Sequence, residues 1–327
     1  MPKTLQMLHC KVMVSELTKS GIAMRIVGIC RYSLLGRGDW HAYRGKTDAE
    51  VEAVAQEQAK LLFAKDRMNA RLESFEHLTL ASLRAQTDQD YTFIVLASEM
   101  MPKIYRDKLL SLCKDMPNVL VRFFPLSNAI EAQAKVYTEI GLTYRDAVQF
   151  RLDDDDCLCR TFIQMLRYHA KKFNEPLPFA ISVSSFLYAV SGGSGKGVYD
   201  WKTPFLGAGA ALWHPRKSIY AFGHFALGVR FPYSIMEGHQ ALVTNTGLND
   251  TEATAQKIIK AGMTRLNIEQ IMEDIDRDFP FLSENAFEIT GMPLQISLMR
   301  KASEVRGTSM LRLTPIKLSN TKAAKAG

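Results

Sequence analysis

Val148-Gln149-Phe150-Arg151-Leu152-Asp153-Asp154-Asp155-Asp156-Cys157-Leu158-Cys159 is the stretch on which the reading of this sequence turns. A short apolar run of this kind predicts a buried strand, and here it stops in four consecutive carboxylates. Acidic groups side by side repel one another and raise each other's pKa unless positive charge sits among them. Oxygen-only ligands suit a hard divalent cation, and Mg²⁺ or Mn²⁺ usually keeps waters and shares its shell with substrate phosphates. In open α/β sheets, ligands bind beyond the carboxyl ends of the strands. The run is therefore a candidate metal–phosphate site. The blander reading is a solvated acidic turn or a helix N-terminus, where Asp complements the dipole. Four Asp behind a buried-type strand weigh against it, because their mutual repulsion needs a reason.

Outward from this stretch the sequence alternates. Residues 24–29 read as the opening strand, 91–97, 119–124 and 147–152 as further strands, and 102–113, 128–144 and 159–173 as helices. Thr47 and Glu50 have capping-box spacing, which predicts a helix start, and helix-favouring residues continue to about Gln86. Strands separated by helical stretches of this length mark βαβ units, so the class is α/β with three layers and a mostly parallel central sheet. After Pro176 the texture changes: 179–190 and 197–201 read as strands about the turn 191–195, 205–213 follows, and Pro215 opens a short helix. Residues 230–250 are mixed, and 251–262 and 266–277 are helical by pattern. The expected organisation is an N-terminal arm (1–23), one domain (24–313) with a nucleotide-binding half (24–173) and an acceptor half (174–313), and a basic flexible tail (314–327).

Composition sets limits. The 327 residues suffice for a full core, and 47% hydrophobic with 23% charged residues is ordinary for a globular protein. A net charge of +7 means a basic surface around an acidic centre. No basic block interleaved with aromatics marks nucleic-acid binding. Five scattered cysteines (Cys10, Cys30, Cys113, Cys157, Cys159) read as reduced thiols of a cytoplasmic protein, and Cys157/Cys159 lack a second pair at zinc-finger spacing. Neither a membrane span nor a signal peptide is expected.

Several motifs fail. Ser191–Gly197 is not a P-loop, because Val190 and Gly197 stand where Gly and Ser/Thr are required; a hairpin turn is expected. No G-x-G-x-x-G follows the first strand, which removes the main support for a dinucleotide-binding enzyme. The aspartate run does not fit Asp-Asp-x-x-Asp, since the fifth position is Cys157. His77 and His169 read as structural or surface groups, whereas His239, in Glu237-Gly238-His239-Gln240, is a candidate third metal ligand from the second wall. Gly207 and Gly209 either let backbone approach a ligand or serve tight packing.

Phe75-Glu76-x-Leu78-Thr79-Leu80-x-Ser82-Leu83-x-x-Gln86-Thr87, the strand 91–96, and Arg151-Leu152-Asp153-Asp154-Asp155-Asp156 together resemble the rhamnosyltransferase family of GT-A-type glycosyltransferases, over about 25–250. The resemblance implies a GT-A-type fold, a nucleotide-sugar donor and a glycan or other hydroxyl acceptor. Related enzymes end the strand Leu-Asp-x-Asp-Asp. By similarity Asp153 holds the ribose or assists the metal, Asp155 ligates the cation that bridges the donor diphosphate, and Asp156 supports that cation's surroundings or the sugar. Asp154 stands at the variable position. Arg31, Tyr32 and Ser33 would line the nucleotide pocket, with Arg151 beside them.

Cleaving a glycosyl–phosphate bond develops charge on the departing diphosphate, which a cation offsets as a Lewis acid, while a carboxylate removes the acceptor's proton. Asp250 is the first candidate for that base and Glu237 its rival; neither matches the Glu-Asp pair of related inverting enzymes, so inversion rests on analogy. The alternative is a catalytically silent GT-A-type domain that binds a sugar nucleotide or a partner protein. Acceptors in such families are often polysaccharide precursors, and the basic surface and lysine-bearing tail fit peripheral contact with the inner membrane face.

Overall fold

The computed structural model describes residues 24–36, 47–247, 249, 252–296 and 298; the expected N-terminal arm, the basic tail, residues 37–46 and Asp250 lie outside the described residues. The chain begins with β1 (Arg25–Tyr32), then α1 (Asp48–Leu62), entered through the expected capping box of Thr47 and Glu50. Next, α2 (Lys65–Ser74) runs through a π-type segment (Phe75–Leu80) into α3 (Ala81–Arg84). The alternation follows: β2 (Thr92–Ser98), α4 (Lys103–Cys113), β3 (Val119–Phe124), α5 (Ala129–Glu139), β4 (Ala147–Arg151), β5 (Cys157–Leu158) and α6 (Phe162–Ala170). The second half holds β6 (Phe179–Val190), β7 (Gly197–Trp201), β8 (Ala211–Trp213), α7 (His224–Arg230), β9 (Tyr233–Asn245), α8 (Ala255–Lys260), β10 (Thr264–Arg265), α9 (Ile268–Asp278) and α10 (Glu284–Thr290).

Strands β3, β2, β1 and β4 pair in parallel, as the alternation requires. Beyond β4 the sheet changes character: β8 is antiparallel to β4 and β6, and β7 and β10 continue antiparallel, while β9 lies parallel to β6. The sheet is thus mixed rather than mostly parallel, with a parallel half and an antiparallel extension. Helices cover both faces. On one, Ile26 and Cys30 of β1 share a core with Met68, Leu109, Leu166 and Ile275 from α2, α4, α6 and α9. On the other, Val27 and Ile29 pack with Ala132, Val136 and Leu227 from α5 and α7. Burial on both faces is why β1, β2 and β4 read as unbroken apolar runs rather than alternating ones.

Space at the centre is tight. A Cβ at Gly28 would lie 2.3 Å from the Phe150 ring and 2.5 Å from that of Phe93. Behind β4, the buried amide of Gln149 accepts from Gln133 at 2.8 Å and from the Ile219 N–H at 2.9 Å, which ties the turn 219–221 to the strand that delivers the aspartates. The four described cysteines are buried free thiols. No helix among the described residues is long and apolar enough to cross a membrane.

Candidate functional site

The carboxyl ends of β1 and β4 open into a cavity of about 790 Å³. The aspartate turn forms its floor, and two elements far away in sequence hold that turn. Thr79 Oγ1, carried by the π-type segment, donates to the Asp156 carbonyl at 2.9 Å and the Asp153 carbonyl at 3.3 Å. From the end of β9, Thr244 Oγ1 donates to the Asp155 carbonyl at 2.7 Å, and its N–H donates to Asp156 Oδ1 at 2.9 Å. Single π-type turns inside α-helices recur at functional sites; here the turn carries the threonine that fixes the acidic loop.

The four aspartates are not equivalent. Asp154 is fully buried and takes a two-pronged ion pair from Arg71 of α2, through Nε at 2.8 Å and through Nη2. Burial pushes its carboxyl above the usual carboxylate range and Arg71 opposes that push. Asp156 is also buried, and burial together with the charge of Asp155 raises it strongly. Asp153 and Asp155 are half-buried and line the cavity. Asn249 donates to Asp155 Oδ2 at 2.9 Å. Burial first, then the negative charge of Asp154, pushes the Asp155 carboxyl up to about 7, against the pull of Arg71.

Basic groups answer this acidity. Arg31, Arg67, Arg71 and Arg151 all line the same cavity. The Arg151 and Arg31 guanidinium carbons lie 4.7 and 5.1 Å from the centroid of the Tyr220 ring, whose hydroxyl donates to the Ile29 carbonyl at 3.1 Å. Tyr188 and Trp201 line the same cavity, with ring centroids 5.2 Å apart. Four guanidiniums and four carboxylates around one cavity suit a ligand that carries both anionic oxygens and hydroxyls.

Of the residues singled out in the sequence, Arg31, Ser33, Arg151, Asp153, Asp155, Asp156 and Gly207 are brought together here. Others are not. Tyr32 faces the opposite side of β1, buried edge-on against Phe75 with ring centroids 5.2 Å apart, so it packs the core rather than lining the pocket. Gly209, at φ 74°, serves packing: a Cβ there would lie 2.8 Å from the Phe162 ring. Glu237 is exposed on β9 and does not line the cavity. Asp250 lies outside the described residues, although its neighbour Asn249 reaches the site.

His239 must also be corrected as a metal ligand. Its Nε2 meets Asp200 at 2.9 Å and its Nδ1 meets Asp274 at 3.0 Å, so both ring nitrogens are occupied by carboxylates that join β9 to β7 and α9. Burial opposes a charge on His239, but its hydrogen bonds to the two carboxylates outweigh burial and hold its pKa above 6.5. Asp274 is the converse: burial pushes it up, and His239 and Arg277 pull it below 3.8. The His239 contribution is complete below its ordinary pKa and fades as pH rises through the raised folded value; the Asp274 contribution is complete above its ordinary pKa and fades as pH falls through the lowered one. His239→Gln should therefore cost about 2 kcal/mol near pH 5–6 and progressively less in alkaline buffer, read from urea unfolding across pH.

The arginines of α2 escaped the sequence reading, although Arg67 and Arg71 stand four apart and so share a helix face. Tyr188, Trp201 and Tyr220 carry no local signal that separates them from core aromatics.

No match was found among curated proteins. Among solved structures the chain is similar to Staphylococcus aureus TarS 1–349 in complex with UDP (8% identity, 89% of this chain and 76% of that one, TM-score 0.38). It is similar to the same protein in complex with UDP-GlcNAc (8%, 89% and 77%, TM-score 0.40). A cytidylyltransferase from Leptospira borgpetersenii is also similar (12%, 91% and 100%, TM-score 0.33). The family model described as "Putative rhamnosyl transferase" matches residues 25–258, which include β1, the π-type segment, the aspartate turn and β9, and the chain belongs to that family.

Proposed function

We propose that this protein transfers a sugar, rhamnose by its family's description, from a nucleoside-diphosphate donor to a hydroxyl acceptor with inversion. One observation carries the reading: the cavity at the carboxyl ends of parallel strands joins a fixed acidic turn to a ring of arginines. Arg31 and Arg151, held against Tyr220, would bind the donor's diphosphate oxygens; guanidinium–phosphate pairs are planar and often bidentate. Tyr188 and Trp201 offer ring faces to the nucleobase or the sugar.

The donor set also fits Mg²⁺ or Mn²⁺. Among the described residues no group of three or more His, Cys, Asp or Glu is placed to hold an ion unaided. All four aspartates line the cavity, but Asp154 is committed to Arg71 and Asp156 to Thr244, which leaves Asp153 and Asp155. Mg²⁺ is characteristically held by one or two carboxylates plus substrate phosphates, so this pair would hold a cation that enters with its diphosphate. When bound, the cation would offset charge on the leaving diphosphate. Thr79 and Thr244 keep the carboxylates oriented, and Arg71 offsets part of their repulsion.

The test is thermal unfolding with UDP or dTDP, with and without Mn²⁺. Ligand at a hundredfold excess over its Kd adds about 2.7 kcal/mol, so each nucleotide that fits should raise the melting point by several degrees, and further with Mn²⁺. No shift with any nucleoside diphosphate, with or without metal, would exclude this reading and the silent-binder alternative that needs the same ligand.

A further inference from the structure

The transferase needs a group to take the acceptor's proton, and neither carboxylate singled out in the sequence is seen in the cavity: Glu237 is exposed elsewhere and Asp250 lies outside the described residues. A different group does line it. His224, the first residue of α7, shares the cavity with Asp153 and Arg151.

The backbone beside His224 is strained. Phe205 is not glycine, yet it adopts φ 63° in the left-handed region, and residues held there cluster at working sites. Three contacts keep it so. Its N–H donates to buried Ser182 Oγ at 2.7 Å, its ring meets Tyr233 edge-on with centroids 5.4 Å apart, and it fills the space that a Cβ on Gly228 would enter at 2.5 Å. The conformation aims the Phe205 carbonyl at His224 Nδ1, 2.5 Å away.

A carbonyl oxygen only accepts, so Nδ1 must carry the hydrogen, and in the neutral ring the lone pair then sits on Nε2. We propose that His224 is the catalytic base, taking the proton of the acceptor hydroxyl on Nε2. This rests on the transferase reading above. In the step, the acceptor oxygen bonds to the anomeric carbon of the donor as the bond from that carbon to the diphosphate oxygen breaks. The electron pair leaves with the nucleoside diphosphate, and the hydroxyl proton moves to Nε2. The resulting imidazolium keeps its Nδ1–H on the Phe205 carbonyl before the proton passes to water. Burial, helped by the positive charge of Arg151, holds the free imidazole below 6.5 and so unprotonated at neutral pH, with the Phe205 carbonyl and Asp153 pulling the other way.

Two variants and one spectrum test this. His224→Asn keeps an amide donor for the Phe205 carbonyl but has no counterpart of Nε2; His224→Ala leaves a hole that free imidazole can enter. Each is compared with the parent in calorimetric UDP and dTDP binding, and in nucleotide release from UDP-rhamnose and dTDP-rhamnose with octyl glycosides as acceptors. The expected result is nucleotide affinity within about twofold of the parent, release slower by about 100-fold or more, and partial rescue of His224→Ala by imidazole. A His224→Asn variant that releases nucleotide at the parental rate overturns the assignment. Long-range ¹H–¹⁵N spectra of the unliganded protein at pH 7.5 should show a neutral ring with its hydrogen on Nδ1; an Nε2–H tautomer or an imidazolium overturns it whatever the turnover. A parent that binds neither nucleotide and releases none sinks the transferase reading itself, and this proposal with it.

Discussion

Arg71→Met is expected to lower the unfolding free energy by about 3–5 kcal/mol, because it leaves the Asp154 carboxylate buried without its partner. The ion pair is almost dry, with side-chain exposures of 16% for Arg71 and 1% for Asp154. Once the guanidinium is gone, Asp154 can escape only by taking up a proton. Its folded pKa, already raised by burial, then rises further above the unfolded value of 3.8, so the folded state binds more protons than the unfolded one. Stability then falls with rising pH, and the deficit in urea unfolding should be larger at pH 8 than at pH 5. Replacing both partners, as Arg71→Met with Asp154→Leu, should recover most of the loss, since removing a buried pair outright costs far less than orphaning one member. A single variant as stable as the parent at pH 8 would mean that Arg71 does not offset the acidic turn.

Asp155→Ala is expected to reduce sugar transfer by about 100-fold or more and to abolish the extra stabilisation that Mn²⁺ gives in the presence of UDP. The unliganded variant should melt no lower than the parent, because the substitution removes one of four crowded carboxylates and a side chain that lines the cavity rather than packing the core. Stability held while ligand-linked stability disappears is the pattern of a binding residue. It is the reverse of what Arg71→Met should give. If Asp155→Ala keeps the full Mn²⁺-dependent shift, the cation is held elsewhere.

These two residues also mark how far the sequence could be read. The parallel half of the sheet was legible because β1, β2, β3 and β4 are short apolar runs divided by helical stretches, two of which open on a cap, Thr47 for α1 and Asn128 for α5, all local signals. β9 was not. This 13-residue strand starts at the surface, takes a left-handed turn at Gly238 (φ 83°), and shifts register against β6 near Ser185, so neither strict alternation nor a continuous apolar run marks it. The aspartate run announced a site but not its division of labour, because Arg71 reaches Asp154 across 83 residues of chain. His239 looked like a ligand for the same reason in reverse: Asp200, 39 residues away, and Asp274 claim its nitrogens, and nothing local shows it. Single residue types in suggestive places were legible; the partners that commit them are set by tertiary packing.

Asp153 and Asp155 are proposed to hold a cation against the diphosphate of a sugar nucleotide while arginines grip the same group. Crystals soaked with MnCl₂ and UDP-rhamnose test it most directly, by anomalous scattering. The expected result is a manganese peak in direct contact with an Asp155 carboxylate oxygen, with diphosphate oxygens in its shell and the Arg31 or Arg151 guanidinium on the same phosphates. A nucleotide bound with no manganese peak at the aspartate turn, or a peak with Asp153 and Asp155 turned away from it, would contradict it.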